Sequence, residues 1–188
     1  GRRPGTRADM ETLIKLGHSC NVLHFPNGSV VEPQDILVSF RHLQRTYASL
    51  TLTDKPLRAV SHGRTITKDE IEMARLVFGE DFSGQPVLGA VINVNSPLRY
   101  DERMLGGLLT FAHHGQVSII TPFILMGAMS PVTMGAALAQ QNAEALAGVA
   151  LAQLAAPGAP VIYGGFTTNV DMRSGGPAFG TPENTQAT

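Results

Sequence analysis

The chain has 188 residues, 43% apolar and 15% charged, which is enough to bury a sizeable core and too apolar for a disordered segment. A net charge of −1 leaves no electrostatic footprint for nucleic acid. The single cysteine, Cys20, excludes an internal disulfide and a multi-cysteine zinc site, and points to a reducing, cytoplasmic compartment.

Residues 7–19 read as a short helix and 21–25 as a weak extended piece. From Pro33 the spacing of Ile36, Phe40, Leu43 and Tyr47 predicts a helix with those residues on its packed face, Pro being favourable at the first helical position. Lys55–Val60 is the next strand candidate. Thr67 with Glu70 three residues later predicts a capping box for a helix that Gly79 stops. The apolar run Pro86–Val94 predicts a strand buried on both faces. Asp101 caps a helix that Gly115 ends, and Val117–Thr121 is a further strand. A long alanine-rich helix follows over 131–156, closed by Gly158; Glu144 and Gln153 interrupt its most apolar part, which is too short and too weakly apolar to cross a bilayer. Val161–Tyr163 is the last strand, followed by a glycine-rich loop, and Thr181-Pro182 opens a final helix.

This alternation, with short connections and no hairpin signal, predicts an α/β chain with a parallel sheet. An open doubly wound sheet fits the length, whereas a (β/α)8 barrel typically needs about 250 residues. The opening GRRPGTRADM has no apolar stretch behind it and does not read as a signal peptide. The missing initiator methionine, and the stop at Thr188 a turn into a predicted helix, suggest a piece of a larger protein.

The Gly-rich dinucleotide and phosphate-loop signatures, the nucleophile elbow and the helical zinc motif are absent. His113 and His114, adjacent at a helix end, read as favourable partners of the helix dipole and not as metal ligands. The candidate residues lie where α/β proteins place chemistry, just past the strand ends. Asn93 and Asn95 follow one strand, Thr121 and Phe123 the next, and Tyr163, Phe166, Asn169 and Asp171 the last. An amide inside an apolar strand is costly unless hydrogen-bonded, so Asn93 either ties loops together or rims a pocket. Phe123, Tyr163 and Phe166 either pack in the core or form an aromatic box for a quaternary ammonium. Gly164 and Gly165 let a large flat cofactor approach, with Arg173 nearby. Gln140, Gln141, Asn142 and Glu144 cover more than one helix face and read as structural, part of the set exposed and some bonding to a buried neighbour or an adjoining loop.

The runs TDKP at 53–56, INVNSPLRYD at 92–101, ITPFILMGAMSPVT at 120–133, ALAQQNAEALAG at 137–148 and PGAPVIYGGFTTNVDMRSGGPAFGTPEN at 157–184 resemble the trimethylamine methyltransferase family, the MttB-type corrinoid protein methyltransferases. The resemblance implies a partial (β/α)8 TIM barrel with parallel strands, truncated after about four to five βα units. Residues 1–50 would form an N-terminal helical region and barrel start, and 51–188 the central βα units. It further implies transfer of a methyl group from trimethylamine or a quaternary amine such as glycine betaine to the cobalt of a corrinoid on a partner protein. Asn93, Asn95, Thr121, Phe123, Tyr163, Phe166, Asn169 and Asp171 would face the amine, and Gly164, Gly165 and Arg173 the corrinoid. No metal is expected. Open sheet edges would favour a homo-oligomer. A non-catalytic module binding an amine or a corrinoid protein is the alternative. A Schiff-base lyase is disfavoured, since Lys15, Lys55 and Lys68 stand at no strand end.

Overall fold

A computed structural model of the chain describes residues 1, 3–25, 31–79, 82 and 84–188. The elements in order are α1 (Arg7–Ser19), a 3-10 turn (Val38–Phe40), α2 (Arg41–Leu52), β1 (Leu57–Arg58), α3 (Arg64–Phe78), β2 (Leu88–Val94), α4 (Glu102–His113), β3 (Val117–Met126), α5 (Met134–Ala155), β4 (Val161–Tyr163), β5 (Phe166–Asn169) and α6 (Pro182–Ala187). Among the described residues no helix is long and apolar enough to cross a membrane.

All ladders are parallel, and spatial order follows chain order, β1-β2-β3, with both β4 and β5 on the far edge of β3. Right-handed crossovers between strands laid down in sequence put every connecting helix on the same face. A doubly wound sheet reverses its strand order partway and covers both faces. Consecutive order without reversal is therefore the topology of a barrel sector, and the sheet here is open.

β4 and β5 are one interrupted strand. Ile120 pairs with Tyr163 and Phe123 with Phe166, the same offset on both sides of the gap. Gly164 and Gly165 stand opposite Thr121 and Pro122. Pro122 has no N–H to give to a ladder, which accounts for the lapse in pairing within a central strand.

Side-chain direction alternates along β3: Ser118, Ile120, Pro122, Ile124 and Met126 are buried, and the residues between them are half-buried. The buried set faces the helices. There Ile92, Val94, Leu108, Ile120, Ala145 and Ala152 form one core, and Leu57, Ile71, Leu88, Ala90 and Phe111 another. Small residues bring the layers close. A Cβ on Gly148 of α5 would sit 2.4 Å from the Tyr100 hydroxyl, and one on Gly107 of α4 would sit 1.8 Å from Ser61 Oγ and 3.4 Å from its Cα. Gly107→Ala is therefore expected to push α4 off the loop after β1 and to cost about 1–3 kcal/mol in urea unfolding.

Several local expectations hold. The helix expected over 7–19 forms as α1, Asp101 caps α4 through the Met104 N–H at 2.8 Å, and Thr181 caps α6 with Pro182 in its first turn. Gly79 and Gly115, both at positive φ, stop their helices.

Others need correction. Residues 21–25 form turns and bends, not a strand. The helix expected from Pro33 starts at Arg41, and its buried residues are Arg45, Thr46, Ala48 and Ser49, while Phe40 and Tyr47 are exposed. Of the inward polar residues, Thr46 Oγ1 lies 3.5 Å from the Glu70 carboxyl of α3 and Arg45 pairs with Glu32. Thr67 caps nothing: α3 begins three residues earlier, and both Thr67 and Glu70 are fully buried. Glu70 instead accepts from the Val60 N–H at 3.0 and 3.1 Å, fixing the loop after β1. The strand expected over 55–60 shrinks to Leu57–Arg58, and β3 outruns its expected end by five residues.

Candidate active site at the open strand ends

Residues in register on parallel strands share a face, so the pairing assigns each candidate a side. On the face away from the helices the rows run Gly89–Val117, then Val91–Ile119–Ile162, then Asn93–Thr121 with Gly164 beside Thr121, then Phe123–Phe166. An apolar lower part thus gives way to a polar row and then to aromatic rings at the C-terminal strand ends. Layered inward side chains of this kind are how a barrel interior is built.

Asn93 is exposed on this face, and a cavity of about 190 Å³ beside it is lined by Val60, Ser61, His62, Val91 and Met104 among others. Thr121 Oγ1 donates to the Ile119 carbonyl at 3.3 Å. Asn95 lies past the end of β2, where its backbone bridges to Arg99. The Phe123 and Phe166 rings stack with centroids 5.3 Å apart and planes at 17°. A third ring, Phe179, leans on Phe166 at 5.4 Å and 56°.

Phe179 is absent from the sequence-derived set. It arrives because the glycine-rich loop doubles back: Val170 bridges to Pro177, the Asp171 N–H donates to Gly176 O, and the Ala178 N–H donates to Asn169 O. An aromatic three residues past a Gly-Gly pair is the only local signal for this return.

Four candidates stand elsewhere. Tyr163 pairs with Ile120, so its side chain is on the helix side of the sheet, away from the two phenylalanines. Asn169 pairs with Met126 on that side too, and its Oδ1 accepts from Thr181 Oγ1 at 2.7 Å, tying the loop to the cap of α6. Asp171 serves its own turn. Its carboxylate accepts from the Arg173 N–H at 3.0 Å and Ser174 Oγ at 2.7 Å, and these bonds, the backbone one foremost, hold its pKa below the usual value. Gly165 faces α5, where a Cβ would strike the Gln141 amide at 2.4 Å.

Gly164 stands on the site face, where a Cβ would lie 2.6 Å from Thr121 Oγ1. Its smallness keeps the polar row open. Arg173 is exposed in the loop. Among the corrinoid candidates, then, Gly164 stands on the open face, Arg173 is exposed in the loop, and the absence of a side chain at Gly165 is explained by packing.

The interrupting polar residues of α5 hold the site up from behind. Gln141, 6% exposed, accepts a short hydrogen bond from Thr167 on β5. Glu144, 2% exposed, accepts from Ser96 Oγ at 2.5 Å, the Leu98 N–H at 2.8 Å and Gln140 Nε2 at 2.9 Å. These bonds set the loop that follows Asn93 and Asn95.

A one-directional sheet with its helices on one face defines a sector of a (β/α)-barrel protein, with the candidate polar row and aromatic rings at the C-terminal strand ends. The chain belongs to the trimethylamine methyltransferase family, whose model matches residues 1–188. It is 41% identical over 184 residues to the glycine betaine methyltransferase of Desulfitobacterium hafniense (strain Y51), a match that covers 97% of this chain and 38% of that protein. It is 29% identical over 191 residues to the proline betaine:corrinoid methyltransferase of Eubacterium limosum, covering 96% and 39%. To the trimethylamine methyltransferase MttB1 of Methanosarcina mazei it is 34% identical over 104 residues, covering 55% and 21%. The chain therefore spans about two fifths of the length of the first two relatives.

Proposed function

We propose that these residues form one wall of a (β/α)8-barrel methyltransferase that takes a methyl group from a quaternary or tertiary methylated amine, glycine betaine foremost. The methyl acceptor would be supplied by the cobalt of a corrinoid on a partner protein. The observation that carries this reading is the aromatic group, Phe123, Phe166 and Phe179, set directly above Asn93, Thr121 and Gly164. Because Phe123 and Phe166 stack nearly parallel, a trimethylammonium group is received on an outer ring face and against the tilted Phe179, not between the pair. Such a site needs little acid–base machinery. With a quaternary amine, nitrogen keeps the electron pair as the C–N bond breaks and leaves as a neutral tertiary amine. A tertiary amine must enter already protonated, so the chain has to bind, orient and desolvate a cation in either case.

The share of the relatives that is covered, together with the open sheet, supports further strands completing the mouth in the working enzyme. The outer edges of β1 and of the β4–β5 strand also support self-association, and a cytoplasmic setting suits a corrinoid partner.

The test is methyl transfer by the protein carrying this chain, supplied with a reduced corrinoid protein and a panel of quaternary and tertiary amines. Methylated corrinoid should appear in the absorbance spectrum, and its absence across the panel overturns the reading. Phe166→Ala is expected to weaken glycine betaine binding about five- to tenfold in calorimetry. Tyr163→Ala, on the other face, should leave it unchanged.

A further inference from the structure

The loop after β1 opens on a second cavity, which shares Val60 and His62 with the one beside Asn93. It has a volume of about 420 Å³, and its wall includes Arg41, Arg45, Arg64, Arg103 and His62. One carboxylate, Glu32, faces these guanidiniums, accepting from Arg45 at 2.5 Å and lying 3.6 Å from Arg41. His42, also at the wall, turns its ring to Asp69 at 2.9 Å. Among the described residues neither Arg64 nor Arg103 has an acid within ion-pair distance. The adjoining depression brings Asp101 and Glu102 near Arg103, but the Asp101 carboxylate is engaged in capping α4.

Two further features belong to the same wall. Helix α3 enters it with no side-chain cap, behind Gly63 at φ 103°, so Arg64, Thr65 and Ile66 bring the free N–H groups of a first turn to the cavity. Arg45 is 6% exposed, and its wholly buried Nε has no acceptor. The potential is positive: His62 titrates below the usual histidine range, through burial first and then the charges of Arg45 and Arg103, with Glu32 opposing.

We propose that this cavity binds the phosphate group of a small-molecule ligand between Arg45, Arg64 and Arg103, over the N-terminus of α3. Guanidinium forks and helix N–H groups together fit an oxyanion with several acceptor oxygens. More positive charge is present than one carboxylate neutralises, which favours a phosphate over a carboxylate. The volume exceeds that of a bare oxyanion, leaving room for an organic part.

Calorimetry on the full chain at fixed ionic strength tests this, with inorganic phosphate, ribose 5-phosphate, acetate and glycine betaine as probes. Saturable phosphate binding is expected, weakened about tenfold in each of Arg64→Gln and Arg103→Gln by loss of one charge-assisted contact. Lys15→Gln on α1 should bind as the parent does. Both arginines are exposed, and circular dichroism of each variant separates lost binding from lost fold. Tighter binding of ribose 5-phosphate supports a phosphate ester as the ligand, and equal binding supports free phosphate. No saturable binding of either phosphate overturns the proposal, as does equal affinity for acetate or glycine betaine. The outcome is independent of methyl transfer.

Discussion

Glu144→Ala should lower the stability of the chain by about 3 kcal/mol, read from the midpoint of urea unfolding, because it strips an acceptor from three donors at once. Glu144 sits on the buried stripe of α5, which also carries Ala137, Gln141, Ala145, Gly148 and Ala152. Its carboxylate gathers Ser96 Oγ, the Leu98 N–H and Gln140 Nε2, and the Glu144 carbonyl accepts from the Tyr100 hydroxyl at 2.7 Å. Leu98 has φ 56°, a left-handed conformation that a side chain resists, so the bond to its N–H helps to hold a strained turn. Losing the carboxylate leaves three part-buried donors unpaired and frees the loop that follows Asn93 and Asn95. Glu144→Gln keeps one acceptor oxygen and the volume, and should cost less than half as much. Ser96→Ala removes a single hydrogen bond and should cost about 1 kcal/mol. If alanine at 144 costs no more than alanine at 96, the carboxylate does not organise this loop.

The second large effect is on pH dependence. Glu70 is fully buried, and burial, partly opposed by the Val60 N–H, Arg45 and Thr46, raises its pKa from 4.5 to about 8. The folded chain keeps a proton that the unfolded chain releases, so between those values the native state binds more protons and stability falls as pH rises. The contribution is fully present below about pH 4.5 and is lost by the time pH passes about 8. The slope from this group reaches about 1.4 kcal/mol per pH unit. Glu70→Gln imitates the protonated form and should remove that slope. The variant should match the parent in acid and exceed its stability in alkali, as followed by urea unfolding across the window. Parallel pH profiles for parent and variant would mean that Glu70 is ionised in the folded state throughout.

The two effects show where sequence reading reaches and where it stops. The polar interruption of α5 is legible as structural, since Gln140, Gln141, Asn142 and Glu144 cannot all face water on an otherwise apolar helix. Their partners are not, because Ser96 and Leu98 lie 48 and 46 residues away. Glu70 is misread for a related reason. Three residues after a threonine it imitates a capping box, and only the docking of α2 and the loop after β1 shows that the carboxyl points into the core. The packed face of α2 is misread with it, since Phe40 and Tyr47 are exposed while Thr46 turns inward toward that neighbour.

The sequence by itself determined the alternation of helices and parallel strands, most of their caps and stops, and the family. These follow from signals that close within a few residues, or from long matching runs. Tertiary structure alone decided which side of the sheet each candidate occupies. It grouped Asn93, Thr121, Gly164, Phe123 and Phe166, added Phe179 through the returning loop, and turned Tyr163 and Asn169 to the helices. Side-chain direction in a strand reverses at every residue, so a face is known only when the register between strands distant in sequence is known.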